Sequence, residues 1–444
     1  VKLTFTIASV PLAALTLGLS GLPALARAAE AGLTLEKVVS LAAQRNERAA
    51  QAEATADAAR ARVDRARAFF FPELSAGALY TRRLYESFRQ VGGSTVTIQR
   101  KNALSAQANL LVPLIDARLI PIYRQAKLEG ESARQQAENE RRILGYEAAD
   151  AFLGVLGQEQ VLSAATRRVE FSLVTLREAK ARAAAGLVSS NDVTRSELES
   201  ATAERELSGA KAAVETARLA LAYLVNADIG EAPLSPPEPL LAEAGRPTQA
   251  PDTLVSEGLE KRLDLTADRA REEAARVGAD EPYLRFLPAI AGVAQYRVTN
   301  EQGLAGRTGD GSAGVSLTWP IWDGGERIAD RKERLAITRA ASATVSARTR
   351  QVALDVKEAL VALASARATQ ASALRAAEVA RRNVDETGQL YRQGLVRALE
   401  VADANLRLFE AEVALARERN ALGLAYLDLK AATGALPPGL EGSR

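Results

Sequence analysis

Gly186-Leu187-Val188-Ser189-Ser190-Asn191-Asp192-Val193 and Gly394-Leu395-Val396-Arg397-Ala398-Leu399-Glu400-Val401 open on the same tripeptide. Each sets an acid followed by Val at the same distance from its Gly. Each follows a long run without interior proline, Ile120 to Ala185 or Glu326 to Gln393. Each also opens a second helical run, Asn191 to Asn226 or Ala398 to Thr433. Outward from these turns the two halves answer each other. Phe71-Pro72 matches Leu287-Pro288, and Tyr80 matches Tyr296. Val112-Pro113-Leu114-Ile115-Asp116 matches Trp319-Pro320-Ile321-Trp322-Asp323, and Ala222-Tyr223-Leu224 matches Ala425-Tyr426-Leu427. The chain reads as a duplication with a period near 208, and such a period decides the architecture. Each half is strand, strand, very long helix, tight turn, shorter helix.

The composition suits long helices. Aromatics make up only 5% of 444 residues, and alanine and charged residues are plentiful. Lys plus Arg total 57 against 55 Asp plus Glu, so no basic footprint for nucleic acid is present. There is no Cys, His or Met. That removes disulfides, thiolate metal sites, the commonest metal ligand and the commonest general base. These absences count against a Ser-His-Asp hydrolase or a zinc enzyme and leave carboxylate or lysine chemistry open. No site groups such residues, so the expectation is no catalytic residue, no metal site and no cofactor.

Residues 1–28 read as a secretory signal: Lys2, an apolar stretch from Leu3 to Leu22, and the Ala26-Arg27-Ala28 cleavage pattern. Val1 stands where Met is expected, so the true start has a non-standard codon or lies upstream. No later segment offers the ~20 uninterrupted apolar residues of a membrane helix. A membrane span would therefore have to be a barrel.

Leu33 to Arg67 has helical spacing, with Thr34 as N-cap. From Glu73 the period falls toward two. Leu74, Ala76, Ala78 and Tyr80 alternate with small or polar residues, as do Leu104, Ala106, Ala108, Leu110 and Val112. The second half repeats this with Ile290, Ala294, Tyr296 and Val298, then Val315, Leu317 and Trp319. Each pair fits a membrane β-hairpin. Four strands cannot close a barrel, and open edges are not tolerated in lipid. Several chains would have to share one barrel; three would supply twelve strands, within the allowed even range, so the strand count implies an oligomer. Each long run would extend about 100 Å as a helix. The returning runs carry apolar residues at alternating spacings of three and four, as in a coiled coil.

The expected organisation is a signal peptide (1–28), a first repeat (29–229, strands about 73–113), a Pro-rich non-helical connector (230–251), a second repeat (252–434, strands about 286–322) and a loose tail (435–444). The informative side chains lie at the turns. Gly186 and Gly394 suit a left-handed helix end, leaving Leu187, Val188, Leu395 and Val396 at exposed tips where a partner would dock. Glu400 and Asp403 share a helix face, and in a trimer would form acidic rings that select cations. Acids favoured at a helix N-terminus are the plainer reading.

These features resemble the TolC-like outer membrane efflux proteins of Gram-negative bacteria. The resemblance runs from Leu33 to Gly434. It is carried by Leu33-Thr34-Leu35-Glu36, by Pro320-Ile321-Trp322-Asp323-Gly324-Gly325 and by Tyr391 to Asp403. It implies a trimeric twelve-stranded barrel in outer-membrane lipid and a periplasmic α-helical tunnel. The tunnel's end would dock on a periplasmic adaptor (a membrane fusion protein) and an inner-membrane pump, in efflux or type I secretion. Gly186, Leu187, Val188, Gly394, Leu395 and Val396 would be docking tips, and Glu400 and Asp403 the entrance gate. Asp192 and Tyr391 would tie neighbouring coiled coils together. The Arg that completes this lock in the family is Val396 here, with Arg397 one later. No Cys stands near the cleavage site, so a lipid anchor is not expected. The alternative to a duct is a periplasmic coiled-coil structural or adaptor protein without a barrel.

Overall fold

A computed structural model describes residues 32–301 and 307–440. The expected signal peptide lies outside the described residues. Two helices, α1 (Leu35–Arg45) and α2 (Glu47–Ala68), lead into β1 (Glu73–Arg82). A small hairpin, β2 (Ser87–Val91) and β3 (Ser94–Gln99), precedes β4 (Asn102–Ile115). Then come α3 (Leu119–Ala184) and α4 (Ser190–Val225). The second half runs α5 (Glu238–Ala244), α6 (Pro251–Lys261), α7 (Leu263–Gly278), α8 (Glu281–Leu284), β5 (Ala289–Thr299), β6 (Gly309–Thr318), α9 (Glu326–Arg392) and α10 (Ala398–Ala432). Pro121, in the first turn of α3, costs no helical hydrogen bond there.

The four longer strands form one antiparallel sheet in the order β1-β4-β5-β6. Register settles what alternation alone left open. Tyr80, Leu104, Val298 and Ala78 stand in line with Ala106, Ala108, Tyr296, Ala294 and Ala313, so the apolar sets of all four strands share one face. Leu74, Tyr80, Val315 and Leu317 on that face are 74, 59, 72 and 62% exposed, far more apolar surface than a soluble sheet leaves open. Arg297, Gln295, Gln107, Asn109, Ser75 and Ser312 occupy the other face. Leu79, Leu111 and Val293 share that face, and a hollow there is lined by Glu73, Ser75, Asn109, Gln295 and Ser312 together with Leu111 and Val293. At the far end, Glu301 pairs with Arg83 and accepts from the Arg100 backbone N at 2.8 Å, joining the two hairpins.

Toward the sheet, α3 packs on α2 and α7; away from it, α3 packs on α4 and α10. α9 packs on α6, α7 and α8, then on α10. β1, α2 and α4 thus stand at one flank and β6 and α9 at the other. The core is a girdle at mid-height, where α1 covers α3 around Phe152, Val155, Leu221 and Leu427. α5 and α6 cover α9 and α10 around Val356, Leu363 and Leu422.

Four expectations change. The helix from Leu33 is broken at Asn46, an extended residue that caps α2. Asn46 Nδ2 donates to Leu224 O at 3.0 Å, and Asn226 Nδ2 donates to Arg45 O at 3.2 Å, so α2 stacks end-on upon α4. The Pro-rich connector contains a helix, α5, because Pro239 falls in its first turn, where no amide hydrogen is needed. The tail is packed as far as Leu440: Pro437 and Leu440 lie against Gly145 of α3, and residues 441–444 lie outside the described residues. Ala222-Tyr223-Leu224 and Ala425-Tyr426-Leu427 are not structural counterparts. The left-handed caps Asn226 and Gly434 are 208 positions apart, like the two turns. Their hydrogen bonds agree as well: Ala227 N to Ala222 O and Asn226 N to Tyr223 O, against Ala435 N to Lys430 O and Gly434 N to Ala431 O. The tripeptides, five positions out of that register, share a composition and not a place.

Candidate functional site: the two helical tips

α3 and α9 end alike. Gly186 (φ 73°) and Gly394 (φ 77°) turn the chain in the left-handed region, which costs a side-chain-bearing residue ~1–2 kcal/mol. Leu187 N donates to Arg182 O at 2.9 Å and Leu395 N to Leu390 O at 3.0 Å, closing the last turn of each long helix. Leu187 and Leu395 project, 74 and 68% exposed. Val188 is half-buried, and Val396 folds back on Tyr391, Ala398 and Val401.

The second limbs start differently. Asp192 is turned to its own helix: its Oδ2 accepts from Ser189 N at 3.3 Å and from Ser189 Oγ at 3.2 Å. α10 begins at Arg397, which offers no capping oxygen, and Glu400 supplies the acid of its first turn. Asp403 lies one turn on, 3.7 Å from Arg407, with both side chains exposed. That contact is a weak surface pair. Glu400 and Asp403 share a face, and among the described residues neither is bonded to Tyr391.

Tyr391 is the buried residue of the site, 4% exposed. Arg182, from the other hairpin, lies over its ring at 4.1 Å and donates through Nη2 to its carbonyl at 3.0 Å. Burial raises the Tyr391 hydroxyl above its ordinary value; Arg182 opposes this, and Glu178 and Asp192 add to it. Asp192 therefore reaches Tyr391 through its field alone. The cation beside Tyr391 is Arg182, and among the described residues Arg397 makes no contact with Tyr391. Sequence reading missed Arg182 because a base in the last turn of a helix is ordinary dipole chemistry.

Above the tips the hairpins are joined by charge. Arg168, 3% exposed in its side chain, pairs with Glu199 at 2.7 Å and with Glu206, and lies 5.0 Å over Phe409 of α10. Glu412 of α10 bridges Arg167 of α3 at 2.7 Å and Arg381 of α9 at 3.0 Å. The buried Arg168 pairs add little net stability but are costly to break from one side, so they fix register, while Arg167 and Arg381 reach Glu412 from the surface.

A sheet with one apolar and one more polar face, carried on two helical hairpins about 100 Å long, defines a membrane-seated duct component. No helix among the described residues is long and apolar enough to cross a membrane. Comparison with known proteins gives the class its family. The sequence profile of the outer membrane efflux protein family matches residues 38–227 and 254–435, and the chain belongs to that family. It is an efflux channel protein of the Gram-negative outer membrane with a periplasmic extension. Among curated proteins it is similar to the cobalt-zinc-cadmium resistance protein CzcC of Cupriavidus metallidurans, 28% identical over 425 residues, 92% of this chain and 91% of that one. Among solved structures, the Vibrio cholerae outer membrane protein VceC has a TM-score of 0.74 at 19% identity, covering 90% of this chain and 96% of its own. The Campylobacter jejuni CmeC outer membrane channel has a TM-score of 0.76 at 16% identity, covering 92 and 87%.

Proposed function

We propose that three copies of this chain close a twelve-stranded barrel in the outer membrane and a helical tunnel below it, and that the tunnel carries cargo without catalysis. The observation that carries this reading is the sheet: a coherent apolar face, a more polar face lining a hollow, and two unpaired edges, which only closure removes in lipid. In this reading the repeats are functional halves, spanning 29–229 and 252–434 around the connector.

The exposed tip residues Gly186, Leu187, Gly394 and Leu395, with Val188 and Val396 behind them, suit docking to a periplasmic adaptor that links the duct to an inner-membrane pump. Glu400 and Asp403 would ring the entrance. The Arg182–Tyr391 clasp would hold the two hairpins of each chain together at the mouth. The relative's name makes divalent transition metals the first cargo to test. A chain with no His, Cys or Met offers them only carboxylates and water, so metal would pass without strong ligation.

Purified protein reconstituted in planar bilayers tests the duct, with native mass spectrometry for the trimer. A monomer that forms no conducting pore would overturn the reading. Deleting the gene and assaying tolerance to cobalt, zinc and cadmium tests the cargo; unchanged tolerance would remove metals.

A further inference from the structure

The second repeat lies against the first within the chain: β5 on β4, α7 and α10 on α3. The flanks expose the counterparts of those same surfaces. β6 and α9 correspond to β4 and α3; β1, α2 and α4 correspond to β5, α7 and α10. The correspondence is exact enough to number. The turns match at a separation of 208, as do the buried positions Leu144 and Val352, Ala148 and Val356, and Val155 and Leu363 of the long helices, although those helices start 207 apart. For the strands, Tyr80 opposite Leu104 in the first hairpin becomes Tyr296 opposite Gly311 in the second, separations of 216 and 207.

In the proposed trimer the flanks of neighbouring copies meet as the two repeats do inside one chain, and we infer that an ion pair joins Arg375 to Glu204 of the neighbouring copy. The inference rests on the trimer proposed above. Inside the chain, Arg167 of α3 pairs with Glu412 of α10 at 2.7 Å. The residues 208 positions away are an Arg and a Glu again, Arg375 on α9 and Glu204 on α4. Both are exposed, and among the described residues neither is in a salt bridge. Glu412 also binds Arg381 of its own hairpin. The corresponding position beside Glu204 is Leu173, so Glu204 has no such cation on its own hairpin. Beside Arg375, Ala376 and Val379 runs an open groove of about 780 Å³. Their counterparts Arg167, Arg168 and Phe171 line, on the α3 side, a space walled on the α10 side by Asn405, Phe409 and Glu412.

Two further contacts carry over. Arg142 Nη1 donates to Ala431 O, at the C-terminal end of α10, at 3.4 Å. Its counterpart Arg350 is exposed, and the matching acceptor is Tyr223 O, which caps α4 as Ala431 O caps α10. In the sheet, Ala108 opposite Tyr296 and Leu110 opposite Ala294 become Val315 opposite Tyr80 and Leu317 opposite Ala78 of the next copy. That pairing keeps the apolar face continuous. The Arg182–Tyr391 clasp is not reproduced: its counterparts are Leu390 and Ala183. The polar clasp at the mouth is therefore a contact inside each chain only.

The absence of Cys makes the test direct. The double variant Arg375→Cys/Glu204→Cys, oxidised in isolated outer membranes, should give covalent dimers and trimers on a non-reducing gel. Arg375→Cys/Glu197→Cys, moved by two turns or about 10 Å, should give few. Arg375→Glu and Glu204→Arg should each lower the temperature at which the oligomer falls apart, and together restore it. Trimers by native mass spectrometry that do not cross-link through 375 and 204, or that cross-link equally through 375 and 197, overturn the pairing and leave the trimer standing. No oligomer at all overturns both.

Discussion

Removing the Arg182 side chain should open the mouth. The guanidinium contributes a cation–π contact with a ring that is 4% exposed and a charged hydrogen bond to the Tyr391 carbonyl. A partly desolvated cation–π contact is worth ~0.5–2 kcal/mol, and a hydrogen bond from a charged donor ~1.5–3 kcal/mol. Arg182 is half-buried, so the combined loss for Arg182→Ala is set at the lower end, about 2 kcal/mol per chain. That loss would shift the balance between closed and parted tips by about 30-fold. The assay is single-channel recording in planar bilayers, read as the fraction of time in the high-conductance state. Tyr391→Leu should behave like Arg182→Ala. Tyr391→Phe should behave like the unaltered protein, because the ring is kept and the hydroxyl has no hydrogen-bond partner among the described residues. If Arg182→Ala leaves the open fraction unchanged, or if Tyr391→Phe raises it as much as Tyr391→Leu, the clasp is not what holds the tips.

Three other outcomes are expected. Asp150 of α3 keeps an exposed side chain, yet burial of its carboxyl, then the charges of Asp428 and Glu147, push it up to about 7, and its exposure makes the effect on stability small. A raised carboxyl favours the protonated fold, so its stabilising contribution is full below ~4 and is lost as pH rises through about 7. Tm should therefore fall less between pH 5 and pH 8.5 in Asp150→Asn than in the unaltered protein, and equal slopes would count against the assignment. Glu400→Ala/Asp403→Ala should raise conductance and weaken block by multivalent cations; unchanged block would remove these acids from the gate. Phe152→Ala, at a fully buried position of the girdle, should cost ~3–5 kcal/mol, visible as a lower midpoint of denaturant unfolding.

The long helices, the strands and both turns were legible because each rests on a local rule: period, proline placement and glycine at a left-handed position. The breaks in register were harder to read. Asn46 ends α1 without a glycine or proline, and it does so because α4 stops beneath it and Leu224 O needs a donor. The same kind of break recurs at Arg262, whose guanidinium pairs with Asp264 at 2.7 Å and Asp355 at 2.5 Å. Nothing in either local sequence announces a joint, since the cause lies on another helix. The Ala-Tyr-Leu match misled for a related reason: alanine-rich helices offer many similar triplets, and only the caps fix which of them correspond. At the tips, residue identity was legible but partnership was not. Asp192 turned inward to its own Ser189, and Tyr391 found Arg182 across the gap between hairpins.

The fusion of two repeats also changes the kinetics of assembly. Six half-length units would have to find one another by diffusion, with a rate falling steeply on dilution. Covalent linkage lets half of the junctions, those of β4 with β5 and α3 with α10, form by folding alone. Linkage of this kind sets an effective concentration in the millimolar range whatever the cell supplies. In the proposed trimer only the three remaining seams would depend on how much protein reaches the membrane, and the step most sensitive to expression level would be the pairing of α9 with α4 of the next chain.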